Sequence, residues 1–412
     1  MAWSAARCGR TGEQVTASPD AACAGITFIN AHLNDAQLSS LRIVGSRIAE
    51  LGAAPVVGDI IVDLQGDRLL PGLINAHDHL QLNSLPCPDS GKRYARVQDW
   101  MIDIKERQQA DASFKASEAV SRRDRLLIGG VKNLLSGVTT VAHHDPLYSF
   151  LTDPDYPTGI VTEYGWSHSV YIDDEAKVRA SYQHTPIHWP WIIHAAEGTD
   201  EASAGEFARL EAMGCIGPNT LLVHGLALDQ PQRRRLGAAG AGVIWCPSSN
   251  LRLFDKTLDV AGLLVEGRIA IGTDSRLSGA RDLLEEIRIA ARVAGLDDES
   301  MESLVTRENA RLLHLSDRGS LRVGFRADLL VLPAGMSLSN ADRADIRLVI
   351  RDGQARYGDR DHVQRIAPDL HWASVRVDGT PKLLDGKVAA MLCKSAARED
   401  GLEILDTQWR AA

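Results

Sequence analysis

Between residues 138 and 274 the chain repeats one pattern, a short apolar run that ends in polar or ionisable residues and is followed by a stretch of helical character. The runs are Val138-Thr139-Thr140-Val141-Ala142-His143-His144-Asp145, Ile160-Val161-Thr162-Glu163-Tyr164, Trp191-Ile192-Ile193-His194, Leu221-Leu222-Val223-His224, Val243-Ile244-Trp245-Cys246 and Ile269-Ala270-Ile271-Gly272-Thr273-Asp274. Continuous apolar runs are strands buried on both faces, and their alternation with helices predicts an α/β core with parallel strands. The expected fold class is α/β, a distorted (β/α)8 TIM barrel. Four of the runs end in His or Asp, and in such a barrel the C-terminal strand ends meet at one mouth. A connecting helix is expected over Ala280 to Ala294, from its apolar stripe of Leu283, Leu284, Ile287 and Ala290. Only about 25 residues separate Trp166 from Trp191, a tight span for a full crossover, so a reduced barrel unit is expected there.

The stretch from Leu69 to His79 reads as an apolar strand with two histidines at its end. Side chains two apart on a strand point the same way, so His77 and His79 project together, as two imidazole ligands of one metal ion must. Shorter β-like pieces precede it (Ile26-Thr27-Phe28-Ile29, Leu41-Arg42-Ile43-Val44, Ile60-Ile61-Val62) and similar pieces return at Ala327 to Leu332 and Arg347 to Gly353. One small composite β-sandwich domain built from both chain ends accounts for them, with residues 1–68 and 316–412 in that domain and 69–315 in the barrel. Within the tail after Asp361, Lys382 to Arg398 reads as an amphipathic helix that packs on the β-domain or on a second subunit.

A chain of 412 residues with 44 % hydrophobic residues supports a large core. Its net charge of −9 argues against nucleic acid as a partner. No run approaches the length of a membrane span, and Met1 to Gly25 lacks a signal-peptide core. Six cysteines without a Cys-x-x-Cys pair fit a reducing cytoplasm. The expected partner is a small-molecule or modified-peptide substrate, with homo-oligomerisation left open.

Collected by strand end, the ionisable residues are His77 and His79, His194 with Glu197 three residues on, His224, and Asp274. Three histidines and one carboxylate can hold a zinc-type ion and leave a position open for water, the requirement of a catalytic site. A single strand-end histidine is more often structural, and that reading is preferred for His143, His144, His184 and His188. Cys246 precedes Pro247 with no evident base and reads as a buried structural thiol.

Taken with Pro71-Gly72-Leu73-Ile74-Asn75-Ala76-His77-Asp78-His79, Gly137-Val138-Thr139-Thr140-Val141, His194-Ala195-Ala196-Glu197, Val223-His224-Gly225, Pro247-Ser248-Ser249-Asn250, Gly272-Thr273-Asp274, Gly319-Ser320-Leu321 to Gly324 and Ala327-Asp328-Leu329, the chain resembles the amidohydrolase superfamily. Within it the likeness is to the cytosine-deaminase-like and triazine-hydrolase-like branch, from about Ile26 to Gly353. The resemblance implies that His77, His79, His194 and Asp274 are metal ligands and that His224 contacts the metal-bound water or the substrate carbonyl. No strand-end lysine before His194 matches a carboxylated bridging ligand, which implies one divalent ion, zinc first, with iron or manganese as alternatives.

Such an ion lowers the pKa of water toward about 7. Asp274 is then expected to take the proton of that water, Glu197 to pass one to a departing nitrogen, and His224 to donate to the developing oxyanion. Gln81, Ser249 and Asn250, with Glu197 and His224, are the candidate substrate-binding residues. The cluster of Lys92, Arg93, Tyr94, Arg96 and Trp100 reads as a solvated helix flank. The expected activity is metal-dependent hydrolysis at a carbon bonded to nitrogen, first as deamination of a heterocycle or amidine-like carbon. Cleavage of an amide, cyclic amide or peptide bond is the alternative, then a non-catalytic barrel scaffold; an isomerase or lyase on the same metal core also remains open.

Overall fold

The computed structural model describes residues 24–33, 37–52, 54–88 and 91–406. The polar start of the chain, with Cys8 and Cys23, lies outside the described residues.

Eight parallel strands form the barrel: Leu73–Asp78, Val138–His143, Gly159–Ile160, Gly165–Ser169, Trp191–Ala195, Thr220–His224, Gly242–Trp245 and Ile269–Ile271. The first three pair in one ladder and the last five in another. Nearly every residue of the long strands is buried, as helices outside and side chains inside require. The seam between the eighth and first strands is closed by backbone bonds: His77 O accepts from Thr273 N (2.9 Å) and Asp274 N (3.1 Å), and His79 N donates to Asp274 O (3.0 Å). Glycine at 272 permits this approach, because a Cβ there would lie 2.6 Å from the His77 Cβ.

Three expectations are corrected. The reduced barrel unit is not between Trp166 and Trp191, where the helix Glu175–His184 fits. It is the third strand, only Gly159–Ile160, which runs into the fourth with no helix between them. The apolar stretch beginning at Leu69 is two strands, because the chain changes sheets at Gly72: Arg68–Pro71 pairs with Leu329–Leu332 in the terminal sheet, and Leu73–Asp78 enters the barrel. The sheet domain thus extends to Pro71. Within Lys382 to Arg398, the strand Thr380–Asp385 pairs with Trp372–Val377 and helix is confined to Gly386–Lys394. The Asp385 carboxylate accepts from Lys387 N (2.8 Å) and starts that helix after the strand has ended.

Strands from both chain ends hydrogen-bond as one eleven-stranded sheet, in which Arg68–Pro71 lies between Ile26–His32 and Leu329–Leu332. Phe28, Leu41, Ile43 and Val62 from one end share a core with Leu329, Val331, Leu348 and Ile350 from the other. The helix expected from Ala280 runs Leu283–Ala294, started by Asp282, whose carboxylate accepts from Leu284 N and Glu285 N (3.1 Å each), and ended by Gly295 at φ 64°. Among the described residues no helix is long and apolar enough to cross a membrane.

Candidate metal centre

Four imidazoles converge at the barrel mouth. His77 and His79 come from the end of the first strand, His144 from just beyond the second and His194 from the fifth; one ring nitrogen of each lies within 4.8 Å of all the others. All four are buried. Burial holds His77, His144 and His194 well below the usual histidine range, reinforced by the neighbouring rings, so they are neutral and carry lone pairs.

Hydrogen bonds at the far nitrogens orient the rings. His194 Nδ1 donates to the His168 carbonyl (2.8 Å), which leaves Nε2 as a lone pair. His79 Nδ1 faces Asp145 Oδ2 (3.1 Å), a carboxylate–histidine pair of the kind that orients metal ligands. Burial opposes a charge on His79, but the hydrogen bond and charge of Asp145 outweigh it and raise the pKa. His79 Nε2 and His194 Nε2 stand 3.2 Å apart, close to the edge of a tetrahedron of nitrogens about 2.0–2.1 Å from a zinc ion. Both nitrogens of His77 are buried without a hydrogen-bond partner. Lone pairs facing one another beside an orphaned imidazole need a cation or a shared proton, so the donor set fits a divalent ion.

His144, for which the sequence favours a structural role, lies within this group. Its Nε2 bonds to the Ser167 carbonyl (3.0 Å) and its Nδ1 has no partner. Adjacent histidines at a strand exit face opposite ways, and the sequence does not say which faces the mouth. His143 faces away, with Nδ1 3.3 Å from the Asp78 carbonyl. His184 and His188 are exposed, outside the group.

Asp274 borders the four imidazoles. Its Oδ1 lies 3.9 Å from His77 Nε2 and 3.8 Å from His79 Nε2, while Oδ2 accepts from Ser249 Oγ (2.8 Å) and Ser278 Oγ (2.6 Å). Glu197 follows a left-handed turn at Ala196 (φ 55°), whose amide is held by Glu206 Oε2 (2.7 Å). Buried beside Asp274, its carboxyl is pushed well above the carboxylate range, by desolvation first and the Asp274 charge second. Its Oε2 accepts from the Tyr171 hydroxyl (3.2 Å), and its Oε1 is 3.4 Å from His224 Nε2. His224 Nδ1 lies 2.9 Å from Asn250 Oδ1; that oxygen makes Nδ1 the protonated nitrogen, so in the neutral ring Nε2 is an acceptor. In that tautomer Nε2 faces Glu197 as an acceptor, and the expected donation to an oxyanion requires a protonated ring.

The candidate substrate contacts are engaged with site residues instead: Ser249 holds Asp274, Asn250 orients His224, and Gln81 Nε2 donates to Asp145. Lys92, Tyr94 and Arg96 bond to Asp103 or Asp99 on the helix Val97–Ala110. Trp191 is in the core, whereas Trp166 sets its ring edge against His144 at 5.4 Å. Cys246 is buried, and desolvation raises its thiol.

Behind the site is a group that motif reading missed. Lys132, fully buried on the helix Arg122–Leu135, reaches Asp78 Oδ2 (3.1 Å), Asn83 Oδ1 (2.8 Å) and Thr273 Oγ1 (3.2 Å). Asp78 points away from His77 and His79 and also accepts from Asn133 (2.8 Å) and Asn83 (2.8 Å). The pair thus ties together the strand that carries His77 and His79, the eighth strand end and the helix behind them.

Comparison with known proteins agrees with this architecture. The amidohydrolase family model matches residues 175–377. The chain is 34 % identical over 158 residues to an 8-oxoguanine deaminase of Pseudomonas aeruginosa, an alignment covering 33 % of this chain and 35 % of that protein. It is 26 % identical over 329 residues to a 5-methylthioadenosine/S-adenosylhomocysteine deaminase of Teredinibacter turnerae, covering 66 % and 73 %. Among solved structures, an adenosine deaminase from Xanthomonas campestris with bound zinc superposes with a TM-score of 0.67 at 20 % identity, over 84 % of this chain and 95 % of the other. A mutant atrazine chlorohydrolase from Arthrobacter aurescens, complexed with zinc and atraton, also gives 0.67, at 17 % identity over 80 % and 94 %. These likenesses are to proteins of the amidohydrolase superfamily, with the family model covering just under half of this chain.

Proposed function

We propose that this chain is a member of the amidohydrolase superfamily and, within it, a zinc-dependent aminohydrolase that removes ammonia from an amine-bearing nitrogen heterocycle. The observation that carries the reading is Glu197, a buried carboxyl 3.4 Å from His224 beside the four imidazoles. His77, His79, His144 and His194 would hold the ion, with the Asp274 carboxylate within 3.9 Å of His77 and 3.8 Å of His79 beside them. Bound there, a divalent ion supplies hydroxide at neutral pH by lowering the pKa of water.

The chain's own groups then handle protons. Asp274 Oδ1 accepts the proton of the attacking water, since Oδ2 is occupied by two serine hydroxyls. Glu197, kept protonated by burial, donates to the departing nitrogen, and His224 Nε2 accepts from Glu197 in the resting site. A carbon–oxygen bond forms, the carbon–nitrogen bond breaks, and the amine leaves as ammonia. Relatives named as deaminases of 8-oxoguanine and of adenosine derivatives support a purine-like small molecule. Cys215, Cys246 and Cys393, which form no disulfide, support a cytoplasmic setting.

Zinc-loaded protein incubated with 8-oxoguanine, 5-methylthioadenosine, adenosine and an aminotriazine is expected to release ammonia in step with conversion of one amine to a carbonyl. Cleavage of a panel of cyclic amides without ammonia release would overturn deamination in favour of amide hydrolysis.

A further inference from the structure

The segment beyond the family match holds the catalytic loop. Asp274 is followed by an irregular connection to Asp282, and Arg276, two residues on, is its anchor. The Arg276 amide donates to Asn83 Oδ1 (3.1 Å) on the loop after His79, and its Nε donates to the Arg281 carbonyl (2.7 Å), closing the loop on itself. Its two terminal nitrogens grip Glu399 in a bidentate pair at 2.8 and 2.6 Å. The Glu399 side chain is 0 % exposed. It also accepts from Arg343 Nη1 (2.6 Å), whose side chain is 1 % exposed and whose other nitrogens take Asp378 (3.0 and 2.9 Å) and the Asp400 carbonyl (2.7 Å). Arg281, at the far end of the same loop, donates to Asp378 (2.6 Å).

Three guanidiniums are therefore balanced by Glu399, Asp378 and, more distantly, Asp282, 3.8 Å from Arg343. Asp378 and Glu399 both lie outside residues 175–377. A largely buried, bidentate Arg–carboxylate pair fixes geometry more than it adds stability. These contacts fix both ends of the loop that begins at Asp274.

We propose that Glu399 is a positioning residue for the metal centre: through Arg276 it sets the loop that presents Asp274 to the ion. The inference rests on the metal reading of the four-imidazole site. It is tested on zinc-loaded, full-length protein by timing Zn2+ release to a chromophoric chelator, alongside the thermal unfolding midpoint of metal-free protein. Glu399→Gln is expected to release zinc about 10–100-fold faster, the range typical of residues that orient ligands. Its metal-free midpoint is expected to fall as well, because Arg276 and Arg343 are left short of one buried charge, whereas Glu399→Asp, which keeps the charge, is expected to speed release with a smaller fall. Release at the wild-type rate would overturn the proposal, and so would a fall in the metal-free midpoint with unchanged release. Should Glu399→Gln fail to fold, Glu399→Asp, which keeps the charge and shortens the reach, is put to the same comparison, with unchanged release again decisive against. Failure of wild-type protein to bind Zn2+ at all overturns the metal reading itself and, with it, the role of Glu399.

Discussion

Glu197→Gln is expected to lower kcat by about 10²–10⁴-fold, the contribution of one positioned proton donor, with zinc content unchanged. The amide keeps the volume of the carboxyl and can still accept from Tyr171, so the buried site has no reason to rearrange. What it lacks is an acidic proton. In the native residue that proton is retained because burial and the negative charge of Asp274 both disfavour the carboxylate. None of the four imidazoles depends on Glu197 for its orientation: His194 is held by the His168 carbonyl, His79 by Asp145 and His144 by the Ser167 carbonyl. Metal analysis together with steady-state kinetics checks the prediction. Equal kcat for the variant removes Glu197 from the reaction; loss of zinc makes it a support for the ligands.

Lys132→Met is expected to cost about 3–5 kcal/mol of folding stability, the usual penalty for stranding one partner of a buried ion pair. Asp78 is completely buried, and the amides of Asn83 and Asn133 satisfy its hydrogen bonds without cancelling its charge. Adding Asp78→Asn removes the stranded charge, so the double variant is expected to recover most of the loss. Urea denaturation of the three proteins measures both effects. A loss below about 1 kcal/mol in the single variant would mean that water reaches Asp78 and that the pair is not part of a closed core. Zinc affinity is expected to fall with stability in the single variant, because Asp78 lies between His77 and His79 and the ammonium also bonds to Thr273, next to Asp274.

The parts of this architecture that could be read in advance are those that follow from strand geometry. His77 and His79 share a face because they are two apart, and His194, His224 and Asp274 meet because parallel strands end at one mouth. His144 was not legible: it and His143 are consecutive, and the bulged register between the first and second strands decides which of them turns inward. Lys132 was hidden for another reason. A lysine in a helix is ordinarily solvated, and its partner Asp78 is 54 residues away. The third strand and the tail hairpin failed through local ambiguity. Ile160 to Tyr164 is apolar enough for a strand but is held by Tyr164, whose hydroxyl bonds the His143 carbonyl. The run around Leu383 and Leu384 suits a helix as well as the strand that pairing with Trp372–Val377 makes it. Ser249, Asn250 and Gln81 bond to Asp274, His224 and Asp145, and a strand-end position does not distinguish a residue that touches substrate from one that holds a residue that does.

The central claim is that His77, His79, His144 and His194 form one metal site. Elemental analysis of zinc-reconstituted wild-type and His144→Ala proteins tests it most directly, because His144 is the member that strand-end motifs did not identify. The account predicts about one zinc ion per wild-type chain and a clear loss of zinc from the variant after dialysis against a weak chelator. Full zinc retention in His144→Ala, or no zinc in the wild type, would contradict it.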